Sequence, residues 1–277
     1  MRKIFDQLTP KKVAMGLGLF LLMFSVVSLV IVVNTYNSQF PRYERHDDTI
    51  TATLQYASLE NDYPRDLVKF YSGENLLQGY LYDSDYDRGL VVVAHGIGGG
   101  ADSYLPQIKY FLDQGWRVFA YDATGSFDSG GKSTKGFPQS ILDLQAALRY
   151  IKTQEALADM PLLLFGHSWG GYAVANALHF DYEIAGVVSV SGANSAMEMV
   201  IEQGEQMMGS FIHVQYPFLW LYQRLLFGET ASLTAVDAIN KTETPVLIIH
   251  GTEDEMVQFE GSSILSKKEL FTNPNVH

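Results

Sequence analysis

Gly166-His167-Ser168-Trp169-Gly170-Gly171 is the stretch of this sequence best suited to nucleophilic chemistry. It follows the apolar run Leu162–Phe165 and opens a helical pattern at Trp169. A strand that turns sharply into a helix lifts the residue at the bend above the sheet, and small residues on either side let strand and helix approach closely. Ser168 Oγ is then presented at a helix N-terminus, where developing negative charge is stabilised. A G-x-S-x-G match alone is weak; strand–turn–helix context strengthens it.

Two further segments fit around that serine. His95-Gly96-Ile97-Gly98-Gly99-Gly100 directly follows the apolar run Leu90–Ala94. A Gly-rich loop there can aim backbone N–H groups at an oxyanion, with Ile97 and Trp169 supplying the two amide donors. Phosphate binding by this loop is disfavoured: the P-loop Lys is missing, and Ala101 stands where a third Gly of G-x-G-x-x-G would fall. His250-Gly251-Thr252-Glu253-Asp254-Glu255 follows the run Val246–Ile249. In the chain order Ser…Asp…His an acid belongs after a late strand, where it holds the His tautomer and stabilises the imidazolium. Asp254 is the expected acid, with Glu253 and Glu255 as solvated neighbours; a merely charged surface loop is the plainer alternative.

These three pieces, in this order, resemble the α/β-hydrolase superfamily, and within it the monoglyceride-lipase-like and serine aminopeptidase-like branch. The likeness covers about Leu67 to His277. Tyr121-Asp122-Ala123-Thr124-Gly125, with Ser129-Gly130-Gly131-Lys132-Ser133, is similar to the family's D-x-x-G-x-G-x-S segment, although Phe127 and Asp128 stand where Gly and a small residue are usual. The resemblance implies Ser168 as nucleophile, Asp254 as acid, Ile97 and Trp169 as oxyanion donors, and Asp122 as a structural hydrogen-bonding residue. It implies a small-molecule acyl substrate (an ester, thioester or amide) and no cofactor or metal. Serine at the bend argues against dehalogenase or epoxide-hydrolase chemistry, which in this family uses a carboxylate nucleophile.

A serine hydroxyl is a poor nucleophile until a base takes its proton. The seven His are His46, His95, His167, His179, His213, His250 and His277. His95 and His250 end strands and are expected to anchor loops. His167 sits beside Ser168, where adjacent side chains diverge; His179 lies down the following helix. His213 is not excluded. His277 is the one His after Asp254, yet Asn275-Val276-His277 reads as the entry to a last strand, which places the triad His roughly ten residues further on. The chain as given is therefore expected to be truncated before its catalytic His and to lack its last strand. A catalytically inactive fold or fragment that binds a ligand is the competing reading.

The elements that must position these residues are legible as alternating patterns. Short apolar runs at Leu90–Ala94, Trp116–Tyr121, Pro161–Phe165, Ile184–Val190 and Pro245–Ile249 alternate with helical patterns at Tyr104–Asp113, Gln139–Thr153, Trp169–Phe180 and Ser262–Leu270. Leu67–Phe70 and Leu76–Tyr82 flank a turn and predict a hairpin. Such alternation predicts an α/β fold with a mostly parallel sheet flanked by helices. Residues 195–240, rich in Met and aromatics, predict a helical cap over the sheet edge, built either to receive substrate or as ordinary helix–helix core.

Val13 to Val33 carries no charge. As a helix it would be about 32 Å long, enough to cross a membrane. Without a clear small-residue cleavage site it predicts a single-pass signal anchor rather than a cleaved signal peptide. Arg2, Lys3, Lys11 and Lys12 precede it, offset by Asp6, so residues 1–12 are expected in the cytoplasm and everything after Val33 outside. Residues 34–48 predict a polar stalk and 49–277 the hydrolase domain. A net charge of −12 argues against a nucleic-acid partner. The absence of Cys rules out thiol chemistry and leaves the redox compartment open. One span makes a channel or transporter improbable, and oligomeric state is not readable.

Overall fold

The computed structural model describes residues 9–45, 54–82 and 86–277. Arg2, Lys3, Asp6, His46 and the 46–53 junction between stalk and domain lie outside the described residues.

Seven strands form one sheet in the order β1-β2-β4-β3-β5-β6-β7. β1 (Asp66–Ser72) and β2 (Asn75–Tyr82) are the expected hairpin, and β2 pairs antiparallel with β4 (Arg117–Tyr121). From β4 onward the sheet is parallel through β3 (Leu90–Ala94), β5 (Leu162–His167), β6 (Ile184–Val190) and β7 (Val246–Ile249). All five residues of β3 are buried. Alternate side chains feed opposite faces, as a pleated strand requires. Leu90, Val92 and Ala94 join one core cluster, whereas Val91 and Val93 join the other. The second cluster is covered by α2 (Leu105–Asp113) through Leu105, Ile108 and Leu112. The first is covered by α3 (Gln139–Thr153) and α4 (Trp169–Asn176). Each large apolar side chain so buried contributes about 1.5–3 kcal/mol.

Because β3, β5, β6 and β7 run parallel, the loops that leave them gather at one edge of the sheet. That geometry brings together segments far apart in sequence. Beyond β6 the chain forms α5 (Ala196–Met208), α6 (Phe211–Phe227) and, after a 3₁₀ turn, α7 (Ala235–Asn240). The expected helix at Ser262–Leu270 is instead a 3₁₀ segment, Ile264–Leu270, capped by Ser263. At the far edge of β7, Val276 bridges in parallel to Val246.

The N-terminal helix differs from expectation in length and in setting. α1 runs from Pro10 to Gln39, so residues 34–39, expected as stalk, are helical. The reason is a stripe at four-residue spacing. Ser28, Val32 and Tyr36 are buried, and Phe40 continues the row. Tyr36 packs edge-on against Tyr222 of α6, and Phe40 against Phe137. Residues 40–45 then lie along the domain rather than lifting it away. Tyr43 N–H donates to the Gly125 carbonyl, and the Arg42 guanidinium donates to the carbonyls of Phe127, Ser129 and Gly131. Earlier residues of α1, such as Leu17, Phe20, Leu22 and Val26, remain exposed.

Candidate active site

β5 ends where Ser168 adopts φ 53°, ψ −112°, a left-handed conformation that costs a residue with a Cβ about 1–3 kcal/mol. The bend is held by Ser168 N–H donating to the Val190 carbonyl at 2.8 Å and by the Ser168 carbonyl accepting from Tyr172 N–H at 2.9 Å. The flanking glycines are required by contact. A Cβ at Gly166 would lie 2.2 Å from the Gly170 carbonyl oxygen, and one at Gly170 would lie 2.0 Å from the Ala94 carbonyl oxygen. The helix therefore rests directly on the ends of β3 and β5.

Ser168 is half-buried and lines a cavity of about 720 Å³ together with Gly96, Ile97, Tyr104 and His167. Ile97 and Ser168, from loops after two neighbouring strands, thus face one space. The Ile97 and Trp169 amides donate to no protein group among the described residues. The Trp169 ring is fully buried and its indole N–H donates to the Phe137 carbonyl, which fixes the first turn of α4.

The Gly-rich loop is held from below. His95 is buried, with Nδ1 2.7 Å from the Gly96 carbonyl and Nε2 accepting from Ala123 N–H at 2.9 Å. Burial pushes its pKa down, and the neutral ring suits both bonds. Asp122 accepts from Ala101 N–H at 2.8 Å and from Tyr80 O–H at 2.9 Å, the structural role expected of it; burial raises its pKa. Phe127, which replaces the usual Gly, sits at φ 42° with its ring against Gly100. Asp128 pairs with Arg45 at 2.6 Å, and Arg45 also pairs with Asp102 at 2.6 Å. The departure from the family pattern thus ties the segment after α1 to the Gly-rich loop.

Asp254 lies on the loop after β7. Its Oδ1 accepts from Met256 N–H at 3.0 Å and Val257 N–H at 2.9 Å, and it also bonds to the Ser191 side chain. Burial opposes ionisation, but the Val257 amide, Ser191 and the Met256 amide outweigh it, so the carboxyl lies below its ordinary range. Ser191 follows β6 at φ 50° and donates its own N–H to the Ile249 carbonyl. The loops after β5, β6 and β7 are thereby laced together through Ser168–Val190, Ser191–Ile249 and Ser191–Asp254.

The histidines are placed as follows. His250 Nε2 is 2.7 Å from the Val257 carbonyl and 3.5 Å from Asp254 Oδ2. His167 Nδ1 is 2.7 Å from the Tyr104 hydroxyl, which itself accepts from Gly96 N–H. Burial lowers the His167 pKa while Asp254 acts in the opposite sense. His179 contacts the Thr234 carbonyl and Lys241, and His213 pairs with Glu205 on the exposed cap. His277 exchanges backbone bonds with Val246 and Ile248, at the beginning of β7 and away from the Ser168 end of the sheet. Among the described residues no imidazole hydrogen-bonds to Ser168. Tyr104 and Ser191 were not singled out from sequence; nothing in their spacing marks them, since each acts only through the packing of separate loops.

Comparison with known proteins bears on the family and the fold. A family model described as serine aminopeptidase, S33, matches residues 85–229, slightly more than half of the chain. Alpha/beta hydrolase domain-containing protein 17C of Xenopus tropicalis is 27% identical over 176 residues, covering 62% of this chain and 48% of that protein. Protein 17B of Homo sapiens is 28% identical over 213 residues, covering 75% and 65% respectively. The chain spans about half the length of most of these relatives. A Pyrococcus furiosus esterase superposes with a TM-score of 0.63 at 21% identity, over 86% of this chain and 88% of that one. Est1E of Butyrivibrio proteoclasticus superposes at 0.57 with 18% identity, over 76% and 88%. With a strained serine between β5 and α4, a Gly-rich loop after β3 and a matching family model over the same segment, the chain belongs to the serine aminopeptidase S33 family of α/β hydrolases.

Proposed function

We propose that the protein is a membrane-anchored serine hydrolase that cleaves an ester, thioester or amide through an acyl-enzyme on Ser168. The observation that carries this reading is the strained bend at Ser168, facing the same cavity as Ile97. Backbone strain at a half-buried hydroxyl that lines a cavity, held by 2.8 Å and 2.9 Å hydrogen bonds, is the arrangement a nucleophile needs. In the reaction Ser168 Oγ attacks the carbonyl carbon while a base takes its proton. The Ile97 and Trp169 amides stabilise the oxyanion, and the alcohol, thiol or amine leaves with the proton. Water then attacks the acyl-enzyme, and Ser168 regains its proton as the carboxylic acid departs. Asp254, ionised and held by amides, is suited to orient the base.

The helix Pro10–Gln39, apolar and largely exposed along residues 13–31, supports anchoring, with the N-terminus in the cytoplasm and the hydrolase domain outside. The absence of an imidazole bonded to Ser168 among the described residues favours a second reading, a ligand-binding fold without turnover. Hydrolysis of p-nitrophenyl esters by the detergent-solubilised chain separates the two. Serine catalysis predicts turnover that Ser168→Ala abolishes. No turnover in either supports the binding fold, and turnover equal in wild type and Ser168→Ala contradicts Ser168 as the nucleophile.

A further inference from the structure

An apolar pocket of about 270 Å³ lies between α1 and the cap helices α5 and α6. One wall is Ile31, Val32 and Tyr36 of α1; the facing wall includes Met207 and Ile212 of the cap. Ile97 lines both this pocket and the Ser168 cavity, so the two spaces adjoin at that residue. Inside the pocket sits Gln215. It is 1% exposed, and among the described residues neither atom of its amide, closed off from the open space, has a hydrogen-bond partner. The mostly apolar lining describes a site for a hydrocarbon chain.

Size and position narrow the occupant. A ~150 Å³ apolar cavity admits one benzene ring, so this pocket has room for a chain on the order of ten carbons. Ile31 and Val32 stand at the end of the uncharged run that finishes at Val33. The cap follows α1 further still, since Phe218 meets Phe24 edge-on at 6.1 Å. If α1 spans a bilayer, the Ile31–Val32 wall of the pocket is therefore level with the boundary between headgroups and hydrocarbon. A water-soluble substrate would have no use for a wall in that position.

We infer that α1 is a wall of the substrate site as well as an anchor: Ile31 and Val32 set the acyl-chain length of a substrate taken from the bilayer. This rests on the serine-hydrolase reading. It places the reacting carbonyl at Ser168 and Ile97, with the chain running back along α1.

The test compares labelling rates of Ser168 by ethyl and decyl fluorophosphonates, with the full chain in phosphatidylcholine nanodiscs. Each reaction forms an Oγ–P bond and releases fluoride with the serine proton. The wild type is expected to react at least ~10-fold faster with the decyl probe. Val32→Trp, which fills the pocket, should bring the decyl-to-ethyl ratio close to one. Val32→Ala, which enlarges it and is the milder change for folding, should shift the best chain length upward. Equal rates for both probes in the wild type, or a decyl preference that survives Val32→Trp and does not move in Val32→Ala, would overturn the inference while leaving the hydrolase reading intact. No labelling of Ser168 by either probe would sink the hydrolase reading, and the inference with it.

Discussion

Tyr36 of the apolar helix meets Tyr222 of the cap edge-on, with ring centroids 5.5 Å apart, and the Tyr222 hydroxyl donates to Asn37 Oδ1 at 2.9 Å. These contacts make the N-terminal helix a packed part of the hydrolase domain. A ring pair of this kind is worth about 0.5–1.5 kcal/mol beyond its buried area, and the hydrogen bond about 0.5–1.5 kcal/mol. Tyr222→Ala is expected to lower stability by about 1–3 kcal/mol, and Tyr222→Phe by only the hydrogen-bond share. Denaturant unfolding in detergent measures both. Indistinguishable midpoints for wild type and Tyr222→Ala would mean that α1 is not docked.

Gly170→Ala tests the close approach beneath the serine. Its Cβ would lie 2.0 Å from the Ala94 carbonyl oxygen, backbone that cannot swing aside. Loss of at least about 3 kcal/mol, or failure to fold, is expected. A variant within ~0.5 kcal/mol of wild type would show that α4 does not rest on the end of β3.

The buried histidine sets a pH dependence. The His95 pKa is lowered by burial, so below the ordinary His value of 6.5 the unfolded chain takes up a proton that the folded chain refuses. Stability from this group is complete above that value and is lost as the pH falls from it toward the folded pKa. The slope is at most about 1.4 kcal/mol per pH unit. His167 and His179 are lowered in the same direction, so His95→Gln should flatten the curve between about pH 5 and 6.5 without abolishing it. Chemical denaturation across that range reads the slope; an unchanged slope contradicts the assignment.

Asp254 behaves in the opposite pH range. Its carboxyl lies below the ordinary aspartate value of 3.8 because amide and hydroxyl donors outweigh the cost of burial. Its stabilisation is present above that value and is lost as the pH falls through the folded pKa. Asp254→Asn should therefore be less stable than wild type at pH 7, with the gap narrowing by about pH 3. If Asp254 orients the base, ester turnover should fall by on the order of 10⁴ in the same variant. A stability gap that stays constant with pH would show the carboxylate charge to be irrelevant to the loop.

The parallel sheet was readable because a strand covered on both faces leaves an unbroken apolar run, as in Leu90–Ala94 and Ile184–Val190, and those bounds match the structure. The bend at Ser168 was readable for the same local reason, since strand, glycines and helix are contiguous. The docking of α1 was not read, because Asn34 and Thr35 look like a polar stalk. Only the four-residue spacing of Val32, Tyr36 and Phe40 across that polarity would have given it away. Ser191 and Tyr104 were invisible for a different reason: their partners, Asp254 and His167, are distant in sequence, and no local pattern encodes a contact between loops.

The most direct measurement is the intact mass of the folded full-length chain after treatment with a fluorophosphonate, with peptide mapping of the adduct. A single phosphonyl group on Ser168, absent from Ser168→Ala, is the expected result. A folded chain that acquires no adduct, or acquires it at another residue, would contradict the assignment of Ser168 as nucleophile.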